Sequence, residues 1–256
     1  QPLGVTVSSL FGEPVANGVI TFTAPISGAS ANLSSLTATI DNKGQASITA
    51  NANTIPGAYT VIANATGATD VSFNLSNSLF NVITVDQLLD VIDNNLTPGN
   101  VSLREAVAYS APNAIINFSP LISGGTINLT SGLLVIGPDL TLNNLNTNIT
   151  ASTPLTFGSV ILGNNVALSS TATGTGILFA GTINGNYALT LNVPNGSIQF
   201  NQAVGNVTPL SSLVVDTRAS NVAGSITTSG NLNFNSPINL SNSAAIDAGG
   251  NLSVTG

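Results

Sequence analysis

The sequence predicts an all-β chain in two parts, a β-sandwich followed by an elongated β-solenoid. Three observations carry this reading. Short segments in which apolar residues alternate with Ser, Thr, Asn or Gly recur along the whole chain, the period of half-buried strands. Turn residues punctuate them at close intervals. One stretch alone, Ser102-Leu103-Arg104-Glu105-Ala106-Val107, reads as a convincing helix start, and a single amphipathic helix at the head of a long β-array suggests a lid over an open edge.

The first part spans residues 1–78. Val5, Val7, Ile20, Phe22, Ile48, Tyr59, Val61, Val71, Phe73 and Leu75 alternate with polar or small neighbours. Gly12-Glu13-Pro14, Ala24-Pro25, Asp41-Asn42-Lys43-Gly44 and Ile55-Pro56-Gly57-Ala58 separate them as turns. Six or so short strands at this spacing predict a sandwich.

The run Leu3-Gly4-Val5-Thr6-Val7 and then Gly12 to Pro25, with Asp41 to Ile48 and Gly57 to Ala63 in the same order, resembles the bacterial Ig-like domains of the invasin and intimin type. The resemblance implies an Ig-like β-sandwich. It also implies a further strand before this start, missing here, supplied from upstream or donated by another chain.

The second part spans residues 79–256. Asn81–Val85 reads as a strand, and residues 86–99 read as a loop or weak helix broken by Asp93-Asn94-Asn95 and Pro98-Gly99. Ser102 with Glu105 three positions on forms a capping box, so a helix is expected at about 103–111, stopped by Pro112. After it come Ile115–Phe118, Gly124–Leu129, Leu133–Ile136 and Leu140–Leu142. The text of residues 82–145 resembles the opening of secreted right-handed parallel β-helices in bacterial surface adhesins and polymorphic outer-membrane proteins. The looser tail, with units such as Ala188–Val193, Leu213–Val215 and Asn231–Phe234, resembles the stalks of filamentous-haemagglutinin-like exoproteins. At a repeat of ~20–25 residues it supplies roughly five or six coils. A second sandwich is the competing arrangement, but the strands are too short and even for it. Both ends read as cut from something longer.

Charge and chemistry narrow the function. Charged residues make up 5% of the chain, against roughly 25% in ordinary soluble domains, and the net charge is −7. Lys43, Arg104 and Arg218 are the only cations, too few to track nucleic acid or a lipid surface. With no Cys and no His, disulfides, thiolate metal sites and the usual general base are excluded, and no apolar run is long enough for a spanning helix. Like residues stacked every ~4.8 Å are tolerated when uncharged, and Asn columns can hydrogen-bond along the stack.

Few residues offer chemistry. Asp216 and Arg218 stand at i and i+2, on one face of a strand, and read as a catalytic acid with its orienting Arg or as a plain surface ion pair. Asp86, Asp90 and Asp93 form the one acid cluster and read as a calcium site or as a solvated loop; no EF-hand or glycine-repeat calcium spacing accompanies them. Ser102 and Glu105 read as structural capping groups. No cofactor is expected. The expected function is a non-catalytic adhesive stalk or filament subunit, extracellular or on a bacterial surface, whose partners are copies of itself or a glycan. The alternatives are a polysaccharide-degrading β-helix enzyme or tailspike-like depolymerase, and a fibre assembled by strand donation.

Overall fold

A computed structural model describes residues 1–241 and 243–255. Strand accounts for 52% of the chain and helix for 4%, so the protein is all-β. It divides into two compact units, Gln1–Leu79 and Phe80–Gly256.

The first unit contains β1 (Pro2–Thr6), β2 (Val19–Thr23), β3 (Ala31–Leu33), β4 (Thr37–Thr39), β5 (Gln45–Ala52), β6 (Gly57–Asn64) and β7 (Val71–Asn77). They form two antiparallel sheets, ordered β1-β5-β3 and β4-β2-β6-β7. Alternation sets which side chains go inside: β2 buries Ile20 and Phe22 between exposed neighbours, and β5 buries Ala46, Ile48 and Ala50. Leu3, Val61 and Ala63 join them in one core fed by both sheets. Ahead of β2 the backbone bulges. The Asn17 N–H donates to the Ile40 carbonyl and the Ile40 N–H donates to the Gly18 carbonyl, so two residues oppose one, with Asn17 at φ 67°. In the turn before β5, Asp41 Oδ1 accepts the N–H groups of Lys43 and Gln45, both at 2.8 Å. These two bonds hold the Asp41 carboxyl below its ordinary pKa.

The second unit is a β-solenoid of about six turns. It opens with β8 (Phe80–Val85), a long loop, helix α1 (Leu103–Tyr109) and β9 (Ser110–Phe118). The coils then follow: β10 (Thr126–Leu129), β11 (Leu134–Val135) and β12 (Thr141–Leu145); β13 (Asn148–Ala151), β14 (Leu155–Phe157) and β15 (Ser159–Leu162); β16 (Val166–Ser170), β17 (Gly174–Phe179) and β18 (Ile183–Asn184). In the next two coils the first two strands fuse into β19 (Ala188–Phe200) and β20 (Ser212–Val222), the latter followed by β21 (Ile226–Thr228). The last strands are β22 (Leu232–Phe234), β23 (Ile238–Leu240), β24 (Ile246–Ala248) and β25 (Leu252–Val254).

Parallel pairing stacks these coils into three faces, each with an unbroken inward column. The first face carries Ile127, Ile149, Leu168, Leu191, Val215, Phe234 and Val254. The second carries Phe157, Phe179, Phe200, Val222 and Leu240. The third runs Ile83, Ile116, Leu142, Val160, Ile183, Val204, Ile226 and Ile246. No single coil hides its apolar row; stacking does, so each coil depends on its neighbours. Asn side chains pair along the stack at Asn117–Asn143 (2.8 Å) and Asn221–Asn239 (3.1 Å). More often a corner Asn accepts a backbone N–H from the next coil, as Asn148 does from Ala167 (2.8 Å), Asn165 from Ala188 (2.9 Å) and Asn231 from Asn251 (3.0 Å).

Two local expectations need correction. The helix ends at Tyr109 and not Ala111, because Ser110 is already extended and pairs with Phe80. Pro112 also disfavours helical backbone at the residue before it. Between β8 and α1 the chain is loop, with no weak helix.

Candidate functional site

Several polar side chains with buried partners gather at the capped first coil. Ser102 is the helix N-cap, and its Oγ accepts the Glu105 N–H (3.0 Å) while Glu105 Oε2 accepts the Ser102 N–H (3.0 Å), closing the capping box. Ser102 Oγ also donates to the Val91 carbonyl at 2.6 Å. Glu105 is fully buried, and its other oxygen accepts the N–H groups of Asp93 (3.0 Å) and Asn94 (2.9 Å). One carboxyl thus satisfies three backbone donors and fastens the 86–101 loop to the helix. Leu103 and Ala106, on the inner helix face, are fully buried in the solenoid core.

Asp90 closes a second clasp. Arg104 grips it through Nε (2.6 Å) and Nη2 (3.1 Å), the only ion pair among the described residues. Asp90 Oδ2 also accepts the N–H groups of Thr130 and Ser131, both at 2.7 Å. Arg104 in turn donates to the carbonyls of Gly132 (3.1 Å) and Leu133 (3.3 Å). The pair therefore saturates the backbone at the β10–β11 corner, where the first full coil has nothing stacked before it.

Burial pushes the Asp90 carboxyl up, but the Arg104 hydrogen bond and the Ser131 and Thr130 N–H groups outweigh it and hold its pKa below the ordinary value. A carboxyl depressed in the folded state stabilises fully above its unfolded pKa and loses that contribution as pH falls through the folded one. Exchange protection of the Thr130 and Ser131 amides is therefore expected to hold at neutral pH and to fall off in acid below 3.8. In Asp90→Ala, which has no acceptor there, it is expected to be weak at every pH. Amide hydrogen exchange measured against pH checks both, and an acid-insensitive wild type would refute the clasp.

The three acids read as a calcium candidate do not face a common point. Asp86 accepts the N–H groups of Gly99 (2.6 Å) and Val101 (2.7 Å), Asp90 is held by Arg104, and Asp93 accepts the N–H of Asn95 (2.8 Å). Among the described residues no group of three or more acidic, His or Cys side chains is placed to hold a metal ion. The cluster is a set of loop fasteners because each carboxylate already has backbone or guanidinium donors.

Asp216 and Arg218 are both exposed on β20, as their spacing implies, but no ion pair joins them. Asp216 stands opposite Asn192, whereas Arg218 falls where the β19–β20 register slips and donates to the Pro194 carbonyl at 3.4 Å. Among the described residues no second carboxylate faces Asp216 across the ladder.

In the first unit a cleft of about 200 Å³ is lined by Val5, Thr6, Val7, Ile20, Ala63 and Val71. β1 and β7 are the outermost strands of their sheets, each with one edge unpaired among the described strands. The lining carries no charged group.

Sequence reasoning missed the clasp. Asp90 reaches residues 40 and 41 positions on, and no local spacing announces such a contact. The capping box was legible; that Glu105 also holds Asp93 and Asn94 was not.

Fold and site together define an all-β protein with antiparallel sheets ahead of a capped β-solenoid. No helix is long and apolar enough to cross a membrane among the described residues. Compared with protein families, curated proteins and solved structures, the chain matches none.

Proposed function

We propose that this chain is a non-catalytic stalk or fibre segment of a secreted bacterial surface protein, an Ig-like module followed by a right-handed parallel β-helix. The observation that carries the reading is the chemistry of the solenoid surface. On its first face the outward column Asn128, Thr150, Ser169, Asn192 and Asp216 runs beside Ala167, Thr190, Val214, Asn233 and Ser253. One of the ten is charged, two are apolar (Ala167 and Val214) and seven are amides or hydroxyls, arrayed at strand spacing, ~4.8 Å. Such an array bonds to the hydroxyls of a glycan or to a copy of itself without electrostatic repulsion. The charges near the cap are engaged in holding it and are not free for acid–base work.

The cleft between the open edges of β1 and β7 favours a second reading, in which a strand of another copy fills it and builds a fibre. One experiment separates these readings. Glycan binding and solution mass are measured for the protein, for Asn128→Ala/Asn192→Ala/Asn233→Ala, and for Thr6→Pro. The Thr6 position alternates with Val7, whose N–H bonds to Gly44, so Pro there blocks the free edge and spares the pairing with β5. Loss of binding or association in the triple variant is the expected result. Association lost only in Thr6→Pro favours strand donation. Release of new reducing or unsaturated ends from a polysaccharide would replace both with an enzyme.

A further inference from the structure

The sequence contains three Asn-Gly pairs, Asn17-Gly18, Asn184-Gly185 and Asn195-Gly196. Asn-Gly is the dipeptide most prone to spontaneous deamidation, because a glycine amide is unhindered as a nucleophile. Reaction requires a free side-chain amide and a following N–H that can turn towards it. The three pairs differ in both respects.

At Asn184 the side-chain oxygen accepts the N–H groups of Val207 (2.9 Å) and Thr208 (3.1 Å), and the Gly185 N–H donates to the Thr208 carbonyl (3.1 Å). Gly185 is buried as well. At Asn195 the side chain donates to the Thr171 carbonyl (3.3 Å), and buried Gly196 is locked in the ladder opposite Gly174 while its carbonyl accepts the Thr217 hydroxyl (2.8 Å). Asn17 is different. Its side chain is exposed and has no hydrogen-bond partner among the described residues, and the bulge takes the Asn17 N–H and the Gly18 carbonyl but not the Gly18 N–H. Its backbone is already in the left-handed region, which an L-residue adopts at some cost.

We propose that Asn17 is the deamidation site of the folded protein, a self-modification that needs only water. The Gly18 nitrogen attacks Cγ of Asn17, the new N–Cγ bond forms and the Cγ–Nδ2 bond breaks. Ammonia leaves carrying the amide proton, and a succinimide remains. Water then opens either carbonyl of the ring, giving aspartate or isoaspartate at position 17. The product adds a negative charge beside a turn already carrying Asp41, and the isoaspartate form adds a methylene to the backbone inside the bulge.

The test is peptide mapping by mass spectrometry after incubation of the whole protein at mildly alkaline pH, folded and in denaturant. In the folded protein, conversion at position 17 is expected to outpace positions 184 and 195 by at least ~tenfold, since those two react only after local opening. In denaturant the three rates are expected to converge. Earlier conversion at 184 or 195, equal rates in the folded state, or no conversion at 17 would each overturn the proposal. Gly18→Ala is expected to slow conversion at position 17 alone. Should that variant fold poorly, because its Cβ would lie 3.0 Å from Ile40 Cδ1, the folded-versus-denatured comparison on the unaltered protein still decides.

Discussion

Replacing Glu105 by Ala is expected to unfasten the cap. The Glu105 carboxyl accepts N–H groups from Asp93, Asn94 and Ser102 and is itself fully buried. Alanine leaves all three donors without a partner, at about 1–3 kcal/mol each where water cannot reach them. A loss of ~4 kcal/mol from the cap is expected, allowing for partial solvation of the opened loop. Glu105→Gln keeps one acceptor oxygen, so it retains either the Asp93 and Asn94 bonds or the Ser102 bond, and its loss is expected to be about half as large. The damage should be local at first, because a solenoid is stabilised by nearest-neighbour stacking. Amide exchange should rise across residues 86–111 while β16 to β20 stay protected. The unfastened loop carries Asp90, so its opening is expected to draw Asp90 off Thr130 and Ser131 and to leave the backbone at the β10–β11 corner as an edge open to other chains. Concentration-dependent association should accompany the loss of the cap. Urea unfolding, exchange and solution mass check these points. An unfolding midpoint unchanged in Glu105→Ala would remove the carboxyl from its structural role.

The second large effect is expected at Phe179. Its ring stacks between Phe157 and Phe200, with centroids 5.4 Å away on either side and interplanar angles of 19° and 9°. All three rings are buried. Truncating the middle ring to Ala removes its own burial and leaves two facing rings without contact, for a loss of about 3–5 kcal/mol. Phe179→Leu keeps most of the volume and is expected to lose roughly a third as much. Exchange protection should fall in β14, β17 and β19 and persist around α1, the reverse of the Glu105 pattern. If both variants lost protection everywhere to the same extent, the unit would unfold as a single block and the nearest-neighbour account would fail.

The difference between these two residues shows what was legible beforehand. Glu105 stands three positions from Ser102, so its capping bond could be read from spacing. Its bonds to Asp93 and Asn94 depend on how a loop without regular structure returns over the helix, and no periodicity records that. The Phe column follows from alternation only once the coil length is known, and the rungs of the first face are separated by 19 to 24 residues as corners lengthen and shorten. In the first unit β3 and β4 are three residues each and carry only Leu33 as a large apolar side chain among Ala, Asn and Thr. They exist because β5 and β2 offer them an edge. Asp216 and Arg218 share an exposed side, as their spacing implies. Their separation arises from a register slip at the corner that only the neighbouring coil imposes.

By itself the sequence determined the all-β class, the two-part order, the capped helix start and the uncharged, stackable surface. Each of these rests on residues within a few positions of one another, where dihedral preference and side-chain period act directly. Only the tertiary structure decided which residues share a column, where Asp90 finds Arg104 and the β10–β11 corner, and which of the three Asn-Gly side chains are held and which is left free. Those are settled by closure of coils of unequal length. The contacts form between residues from 14 to 41 positions apart, and the free energy that selects them belongs to the stack and not to any one stretch of chain.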